Sequence, residues 1–221
     1  MLLNGVRLMP DATGALWWPA TRTLIVADLH LEKGSAYAAR SRQFLPPYDT
    51  RATIGRLEAL QRRHRPARWL CLGDSFHDQE AADRLADEDA DRLKRLAGQS
   101  DWVWLCGNHD PAPPANLGGR IVEELAEGGL TFRHQAIEGR QPGEVSGHFH
   151  PKASVVVQGK RLTRRCFVSD GIRLVLPAFG AYAGGLDVLD RAFAPLFNRM
   201  FHAWLLGDAN VFAVPRDRLA A

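Results

Sequence analysis

The sequence predicts an α/β fold, with parallel strands in the first half of the chain and a second, largely antiparallel sheet in the other half. Three observations lead to this class. Between residues 22 and 110, nearly continuous apolar runs, typical of buried strands, alternate with helical patterns. Each of these runs ends in polar residues. After residue 130, short strand-like runs are separated by turn residues, with no strong helical pattern between them.

Five strands are predicted in the first half of the chain. Two short ones lie within residues 6–19, on either side of a turn that carries Asp11 and Gly14. The three buried strands are RTLIVADLH (22–30), ARWLCLGD (67–74) and WVWLCGNHD (102–110).

Two helices are predicted between the buried strands. Residues 50–63 place Ile54, Leu57 and Leu60 at helical spacing, and residues 80–97 have apolar side chains on one face and charges on the other. The order strand, helix, strand, helix, strand favours parallel pairing, so we expect the polar strand ends at one edge. Ligands bind at that edge in open α/β sheets.

The second half supplies the strands of the other sheet. Its strand-like runs are LTFRHQAI (130–137), GEVSGHFHP (143–151), ASVVVQG (153–159), RCFVSDG (165–171) and IRLVLP (172–177). A chain of 221 residues with 46% hydrophobic composition can bury one substantial core. We therefore expect a single domain over residues 1–221.

Basic residues are concentrated in one region. The formal net charge is +3, and between Arg40 and Arg68 eight arginines face only Asp49 and Glu58. Guanidinium groups pair bidentately with phosphate oxygens, so this run could follow the backbone of a polyanion. A solvated helix face explains the run equally well.

The three cysteines, Cys71, Cys106 and Cys166, show no CxxC spacing. This predicts buried free thiols in a reducing compartment, not a disulfide framework or a zinc site. The N-terminus has no signal-peptide pattern, and no segment approaches the roughly 20 apolar residues that cross a bilayer. A cytoplasmic protein without membrane partners is expected.

Chemically capable side chains collect at the ends of the predicted strands. Asp28 and His30 lie two residues apart, and so do His148 and His150, so each pair can point to one side of an extended chain. Gly107 is expected to permit a sharp exit from the strand. Core packing has little use for carboxylates and imidazoles, which indicates a functional site.

The motifs DLH, GD, GNHD and GHFH, in this order between residues 24 and 151, resemble those of the calcineurin-like metallophosphoesterase superfamily. The resemblance implies a four-layer α/β/β/α sandwich of two mixed β-sheets flanked by helices, with two divalent metal ions at the strand edges. Carried over onto matching positions, it assigns Asp28, His30 and His150 to one ion, Asn108, His134 and His148 to the other, Asp74 to a bridge between them, and His109 to catalysis.

Some assignments stay open. Many members have a carboxylate three residues after the bridging aspartate, but here that position is His77 and Asp78 follows it, so the group that orients His109 is undetermined. His134 is chosen as the lone histidine between GNHD and GHFH, with His64, His77 and His202 as competitors. Nitrogen and oxygen ligands without thiolate suit Mn²⁺, Fe²⁺ or Zn²⁺, and we expect Mn²⁺.

Other segments resemble one branch of the superfamily, the bacterial ligase-associated DNA damage response endonucleases of the PdeM family. They are ADLHLEKG (27–34), LPAFGAYAGGLDV (176–188) and NRMFHAWLLGDANVFAVP (198–215). The resemblance implies a DNA phosphodiesterase or endonuclease in repair or end processing, associated with a DNA ligase, a helicase and an exonuclease-like protein. No base-reading motif is visible, so we expect binding without sequence specificity, with Arg40 and Arg42 as DNA contacts.

Two alternatives remain. The same motifs occur in phosphohydrolases that act on nucleotides or cyclic nucleotides, and a degraded metal site would leave a non-catalytic scaffold. The apolar run FHAWLL (201–206) could pack onto the core or form a homodimer interface.

Overall fold

A computed structural model of the chain describes residues 1–40, 46, 48–197 and 200–220. The strands of the first half are β1 (Leu2–Leu3), β2 (Val6–Arg7), β3 (Met9–Pro10), β4 (Leu16–Trp18), β5 (Thr23–Val26), β6 (Arg68–Cys71), β7 (Asp101–Leu105) and β8 (Arg120–Val122). The α-helices are α1 (Lys33–Arg40), α2 (Asp49–His64), α3 (Ala81–Arg84) and α4 (Asp87–Ala97). The strands of the second half are β9 (Leu125–Glu127), β10 (Leu130–Phe132), β11 (Glu144–Ser146), β12 (Lys152–Val157), β13 (Lys160–Ser169), β14 (Leu174–Val175), β15 (His202–Leu206) and β16 (Val211–Pro215). Short 3-10 helices lie at Pro19–Thr21, Ala115–Leu117, Arg191–Phe193 and Arg216–Arg218.

The first sheet has the strand order β3-β4-β5-β6-β7-β8. From β5 to β8 the neighbouring strands are parallel, whereas β3 and β4 pair antiparallel. Parallel pairing requires a crossover between strands, which α2 and α4 provide after β5 and β6. The carboxyl ends of β5, β6 and β7 therefore meet at one edge, as predicted.

The second sheet has the order β16-β15-β13-β14-β11-β10-β9, and β12 also pairs with β13. Most of its pairs are antiparallel, as predicted. However, β11 is parallel to both β10 and β14. The sheet is therefore mixed, and the chain that leaves β11 does so at the same end as the chain that leaves β10.

Apolar side chains fill the space between the two sheets. Ile25, Leu70 and Val103 of the first sheet belong to one buried cluster with Phe132 and Phe167 of the second. Each side chain of this size contributes about 1.5–3 kcal/mol when fully buried. This layer fixes how the two sheets lie against each other, and hence how their strand ends meet.

The outer faces of the two sheets are covered differently. Trp69 and Trp102, on the outer face of the first sheet, pack with Leu57 of α2 and Leu93 of α4. The outer face of the second sheet is covered by the apolar side chains of Val188, Phe193, Leu196, Phe197 and Phe201, and Phe193 ends the 3-10 helix Arg191–Phe193. The predicted α/β sandwich is confirmed, but among the described residues no α-helix covers this second face.

The single helix predicted over residues 80–97 is wrong. The structure has two helices there, because Leu85 and Ala86 are extended. The second helix begins with three acidic residues, Asp87, Glu88 and Asp89. Negative charge stabilises the N-terminus of a helix, so this acidic turn favours a new start where the apolar spacing suggested continuity.

The apolar run FHAWLL lies in and next to β15 and packs onto the core. Phe201, Ala203 and Leu205 are buried in the cluster on the outer face of the second sheet, and Leu206 is buried between the sheets.

The cysteines are free thiols, but Cys106 is only partly buried, contrary to the prediction that all three are buried. None of the helices in the described ranges is long and apolar enough to span a membrane.

Candidate metal centre

The structure brings together all seven residues that the sequence predicts as metal ligands. Those of the first sheet follow the carboxyl ends of β5, β6 and β7, and those of the second sheet follow β10 and β11. Their coordinating atoms form two neighbouring groups, which we call the first and second clusters. The first cluster is Asp28, His30 and His150, and the second is Asp74, Asn108, His134 and His148.

In the first cluster, one carboxylate and two imidazoles face each other. The Nε2 atoms of His30 and His150 are 3.2 Å apart, and Oδ1 of Asp28 lies 3.4 Å from Nε2 of His150. Burial, and then the charge of His150, lower the pKa of His30 to about 2, so its ring is neutral. The buried Nδ1 of His30 has no hydrogen-bond partner among the described residues. A neutral ring directs a nitrogen lone pair at the centre of the cluster.

In the second cluster, four acceptor side chains converge. Oδ1 of Asn108 lies 2.8 Å from Nε2 of His134 and 2.9 Å from Nδ1 of His148. Oδ2 of Asp74 is 3.4 Å from the same Nε2 of His134. Ligand atoms at about 2.1 Å from one ion stand roughly 3.0–3.4 Å from each other. The observed separations are close to this range.

Asp74 lies between the two clusters. Its Oδ2 is 4.0 Å from Nε2 of His30 in the first cluster, and its side chain is 3% exposed. Burial alone would raise the pKa of Asp74, but the hydrogen bond and the charge of His134 lower it by more. The net shift is downward, so the carboxylate is ionised. Burial in turn lowers the pKa of His134, but the hydrogen bond that His134 donates to Asp74, together with the charges of Asp28 and Asp74, outweighs burial and raises the pKa to about 9. This position fits the predicted bridging role.

The backbone at these positions is unusual. Asp28, His30, Asp74, His148 and His150 all have positive φ angles, between 44° and 69°. Each such non-glycine residue costs on the order of 1–3 kcal/mol and persists only where the surroundings enforce it. Here the backbone N–H of His30 donates to the carbonyl of Asp74 at 2.9 Å. The ligand spacing predicts extended chain, and the sequence offers no signal for this conformation.

Further hydrogen bonds fix the orientation of the ligands. His134 Nδ1 donates to the carbonyl of Leu72 at 2.9 Å, which leaves Nε2 free for coordination. The buried carboxylate of Asp110, unassigned from sequence, accepts from the backbone N–H groups of Ser75 and Phe76. It thereby holds the chain directly after Asp74. Burial raises the pKa of Asp110 to about 7.

The structure identifies the group that orients His109. Its Nδ1 lies 2.9 Å from the carbonyl oxygen of His77, and because a carbonyl only accepts, Nδ1 carries the proton. The ring stacks on that of His77, and Nε2 is 4.0 Å from Oδ2 of Asp74. Asp78 instead accepts from Arg84 at 2.7 Å. With a side chain 43% exposed, His109 faces solvent beside the two clusters.

The competing histidines lie outside both clusters. His64 ends α2 and packs on Trp17, while His202 is exposed on β15. His77 contacts His109 but is not part of either group of coordinating atoms. Among the candidates for the lone histidine ligand, only His134 has the required position.

The arginine run does not form one surface beside the clusters. Ala67 pairs through its backbone with Arg22, which precedes β5, so Arg65 and Arg68 lie at the amino end of the parallel strands. β5 spans four residues and Asp28 follows two positions after its end, so up to roughly 17 Å of extended chain separates Thr23 from Asp28. Of the two predicted DNA contacts, Arg40 ends α1 and Arg42 lies outside the described residues, so both stay predictions.

Gly107 is required by the close approach of Asp74, and its φ angle is not positive. A Cβ at this position would lie 2.2 Å from the backbone nitrogen of Asp74 and 2.5 Å from Oδ1 of Asp110. No side chain larger than hydrogen fits there without displacing Asp74.

Replacing Gly107 by Ala is therefore expected to damage both stability and activity. Overpacking costs about 1–3 kcal/mol, and at about 2–4 °C per kcal/mol the melting temperature falls by several degrees. A displacement of Asp74 lowers phosphodiester hydrolysis roughly 100-fold. Gly184→Ala is the matched control, because no atom lies within 4 Å of the added Cβ. Equal melting temperatures for the two variants would contradict the packing argument.

The donors fit a pair of divalent cations. Carbonyl oxygen, carboxylate oxygens and imidazole nitrogens point into two small volumes, with a shared carboxylate between them. In the first cluster, the Nε2 atoms of His30 and His150 face each other at 3.2 Å, so both can coordinate one cation placed beside them. The two carboxylates leave two divalent ions with a net positive charge, which suits an anionic substrate.

Comparisons with known proteins agree with the motifs and the geometry. The family profile described as calcineurin-like phosphoesterase matches residues 21–180. The structure of the Pseudomonas putida nuclease MPE superposes with a TM-score of 0.73 at 27% identity, covering 97% of this chain and 98% of that one. Yfce, a phosphoesterase from E. coli, aligns with a TM-score of 0.44 at 15% identity, covering 87% of this chain and 97% of that one. No curated protein sequence matches the chain.

Proposed function

Since this chain belongs to the calcineurin-like phosphoesterase family, we propose that it is a metal-dependent nuclease that hydrolyses DNA phosphodiester bonds in DNA repair or end processing. The observation that carries the proposal is the similarity to a nuclease over nearly the full length of both chains. The site is also open, because Asn108 and His109 are exposed. A polymer can lie across an open edge, whereas a small nucleotide is usually enclosed.

We propose two Mn²⁺ ions as the cofactor, held by the first and second clusters with Asp74 shared between them. Nitrogen and oxygen donors without thiolate are compatible with this choice. When bound, two such ions neutralise charge on the phosphate and lower the pKa of water. The protein supplies a donor set in which four of the seven side chains, those of Asp28, His30, Asp74 and His134, are buried.

The role of His109 follows from its hydrogen bond. With Nδ1 donating to the carbonyl of His77, Nε2 is the nitrogen that can face substrate. When water attacks phosphorus and the bond from phosphorus to the leaving oxygen breaks, the protonated imidazole gives its Nε2 proton to that oxygen. The His77 carbonyl holds the ring in place, with Nε2 towards the substrate.

The DNA substrate would be bound mainly through its backbone. No base-reading motif occurs in the sequence, so the contacts that we propose are to phosphates, without base specificity. The resemblance of the segments 27–34, 176–188 and 198–215 to the PdeM family supports a role beside a DNA ligase, a helicase and an exonuclease-like protein.

A direct assay tests the proposal. Purified protein with Mn²⁺ is offered bis-p-nitrophenyl phosphate, the p-nitrophenyl monoester, and end-labelled single- and double-stranded DNA. We expect hydrolysis of the diester and of DNA, both abolished by a chelator. If the protein contacts about three phosphates of a single strand, the logarithm of its binding affinity should fall with the logarithm of salt concentration with a slope near −2. Turnover of the monoester or of nucleotides alone would exclude DNA as the substrate.

A further inference from the structure

The segment Ala178–Gly180 runs beside the backbone of Ala27 and Asp28, and Asp28 is a ligand of the first cluster. The backbone N–H of Phe179 donates to the carbonyl of Ala27 at 2.8 Å, and that of Gly180 donates to the carbonyl of Asp28 at 3.1 Å. Gly180 is so close to Leu29 that a Cβ would lie 2.2 Å from its carbonyl oxygen. Side chains that contact this segment therefore lie near the backbone of Asp28, a ligand of the first cluster.

Two arginines contact the segment. The guanidinium of Arg56, on α2, lies 5.2 Å from the ring centroid of Phe179. Arg165, on β13, donates from Nη1 to the carbonyl of Ala178 at 2.7 Å. Arg165 pairs across the strands with Lys152, two residues beyond His150. Residues more than 100 positions apart in the chain thus place two cations beside the same three-residue segment.

These two arginines differ in their partners from the other described arginines that are at least partly buried. Arg68, Arg84, Arg92, Arg133 and Arg173 each form an ion pair with a carboxylate. Within the described part of the chain, neither Arg56 nor Arg165 has a carboxylate partner, and Arg56 makes no hydrogen bond. Both side chains are only partly exposed.

Unpaired, partly buried cations close together are unfavourable on their own. Burial, and then the charge of Arg165, lower the pKa of Arg56 to about 10. Burial likewise lowers the pKa of Arg165. Both groups still carry a charge at neutral pH, and most of their N–H donors are unused. This arrangement suits an external anion that accepts several hydrogen bonds, and phosphate is the anion that guanidinium pairs match best.

We propose that Arg56 and Arg165 form a binding site for the backbone phosphate next to the scissile one, on the side of the first cluster. The inference rests on the proposed function, because only a polynucleotide carries a second phosphodiester in reach. The site would select polymers over small diesters, and it would hold the strand in register with the two clusters.

A length series of oligonucleotides tests the site. A dinucleotide contains only the scissile phosphate, whereas a trinucleotide and longer strands also carry flanking phosphates. For the protein as it is, kcat/KM is expected to rise with length. In Arg56→Gln or Arg165→Gln, the ratio of kcat/KM for a hexanucleotide to that for the dinucleotide falls about tenfold, the cost of one charge-assisted hydrogen bond. The salt slope becomes shallower by about 0.7.

Two further variants separate binding from packing. Arg56→Lys keeps the charge, so it is expected to restore most of the salt slope. Arg62→Gln, an exposed arginine at the far end of α2, is the matched control and leaves the length ratio unchanged. If the Gln variants lower the melting temperature and both rates equally, the arginines only support the loop and the proposal is wrong. If the unaltered protein cleaves no oligonucleotide, the proposed function itself is wrong, so the two failures are distinguishable.

Discussion

Replacing Asp74 by Asn is expected to abolish paired metal binding and to lower phosphodiester hydrolysis roughly 1000-fold. The amide keeps the shape of the side chain and still offers an oxygen to the backbone N–H of His109, which now donates to Oδ1 at 2.9 Å. It removes the negative charge that lies 4.0 Å from His30 and 3.4 Å from His134. Without that charge, no carboxylate between the two sites reduces the repulsion between two bound cations.

Metal content and turnover should be measured on the same preparation. Elemental analysis after dialysis against Mn²⁺ gives the number of ions retained, and bis-p-nitrophenyl phosphate reports the reaction. Asp91→Asn is the matched control, because within the described ranges this exposed carboxylate on α4 is paired only with Lys94. A D74N protein that retained both ions and full turnover would rule out the bridging role.

The second large effect is expected for His109→Ala. Loss of a general acid costs about 10²- to 10⁴-fold in rate, while both ions should remain, since His109 is not one of the converging donors. The loss should be greater for DNA than for bis-p-nitrophenyl phosphate. An alkoxide leaving group needs a proton, whereas nitrophenolate leaves without one.

His202→Ala, which removes an exposed imidazole from β15, serves as the control and should change neither rate. Equal losses on both substrates would assign His109 to binding a phosphate oxygen and not to proton transfer. Loss of metal from the H109A protein would make it a ligand, contrary to the assignment. A scaffold protein would show no change in its function.

The motifs predicted which side chains the structure brings together, because their order and spacing follow from strands that end at one edge. Asp28, Asp74 and Asn108 each follow a parallel strand, so their proximity is a property of the topology. What orients them could not be predicted. The acceptors for His109 and His134 are backbone carbonyls of His77 and Leu72, and every residue has a carbonyl.

The remaining differences depend on tertiary structure. The apolar spacing between residues 80 and 97 does not reveal that Leu85 leaves the helix. The sequence groups the arginines from 40 to 68 into one run, yet the structure places Arg65 and Arg68 at the amino end of the parallel strands, whereas Phe179, beside the first cluster, is contacted by Arg56. Its partner Arg165 belongs to another strand and another sheet, so no local pattern could connect the two.

Both sheets contribute donors to the same centre, and this makes the centre sensitive to events far from it. Asp28 of the first sheet accepts from the backbone N–H of His148 in the second, across 120 positions of the chain. A bound ion would therefore act as a clasp that joins the two halves of the sandwich. Conversely, a substitution in the apolar layer could shift one sheet against the other by a fraction of an ångström. Such a shift would weaken metal binding before it produced a detectable loss of folded protein.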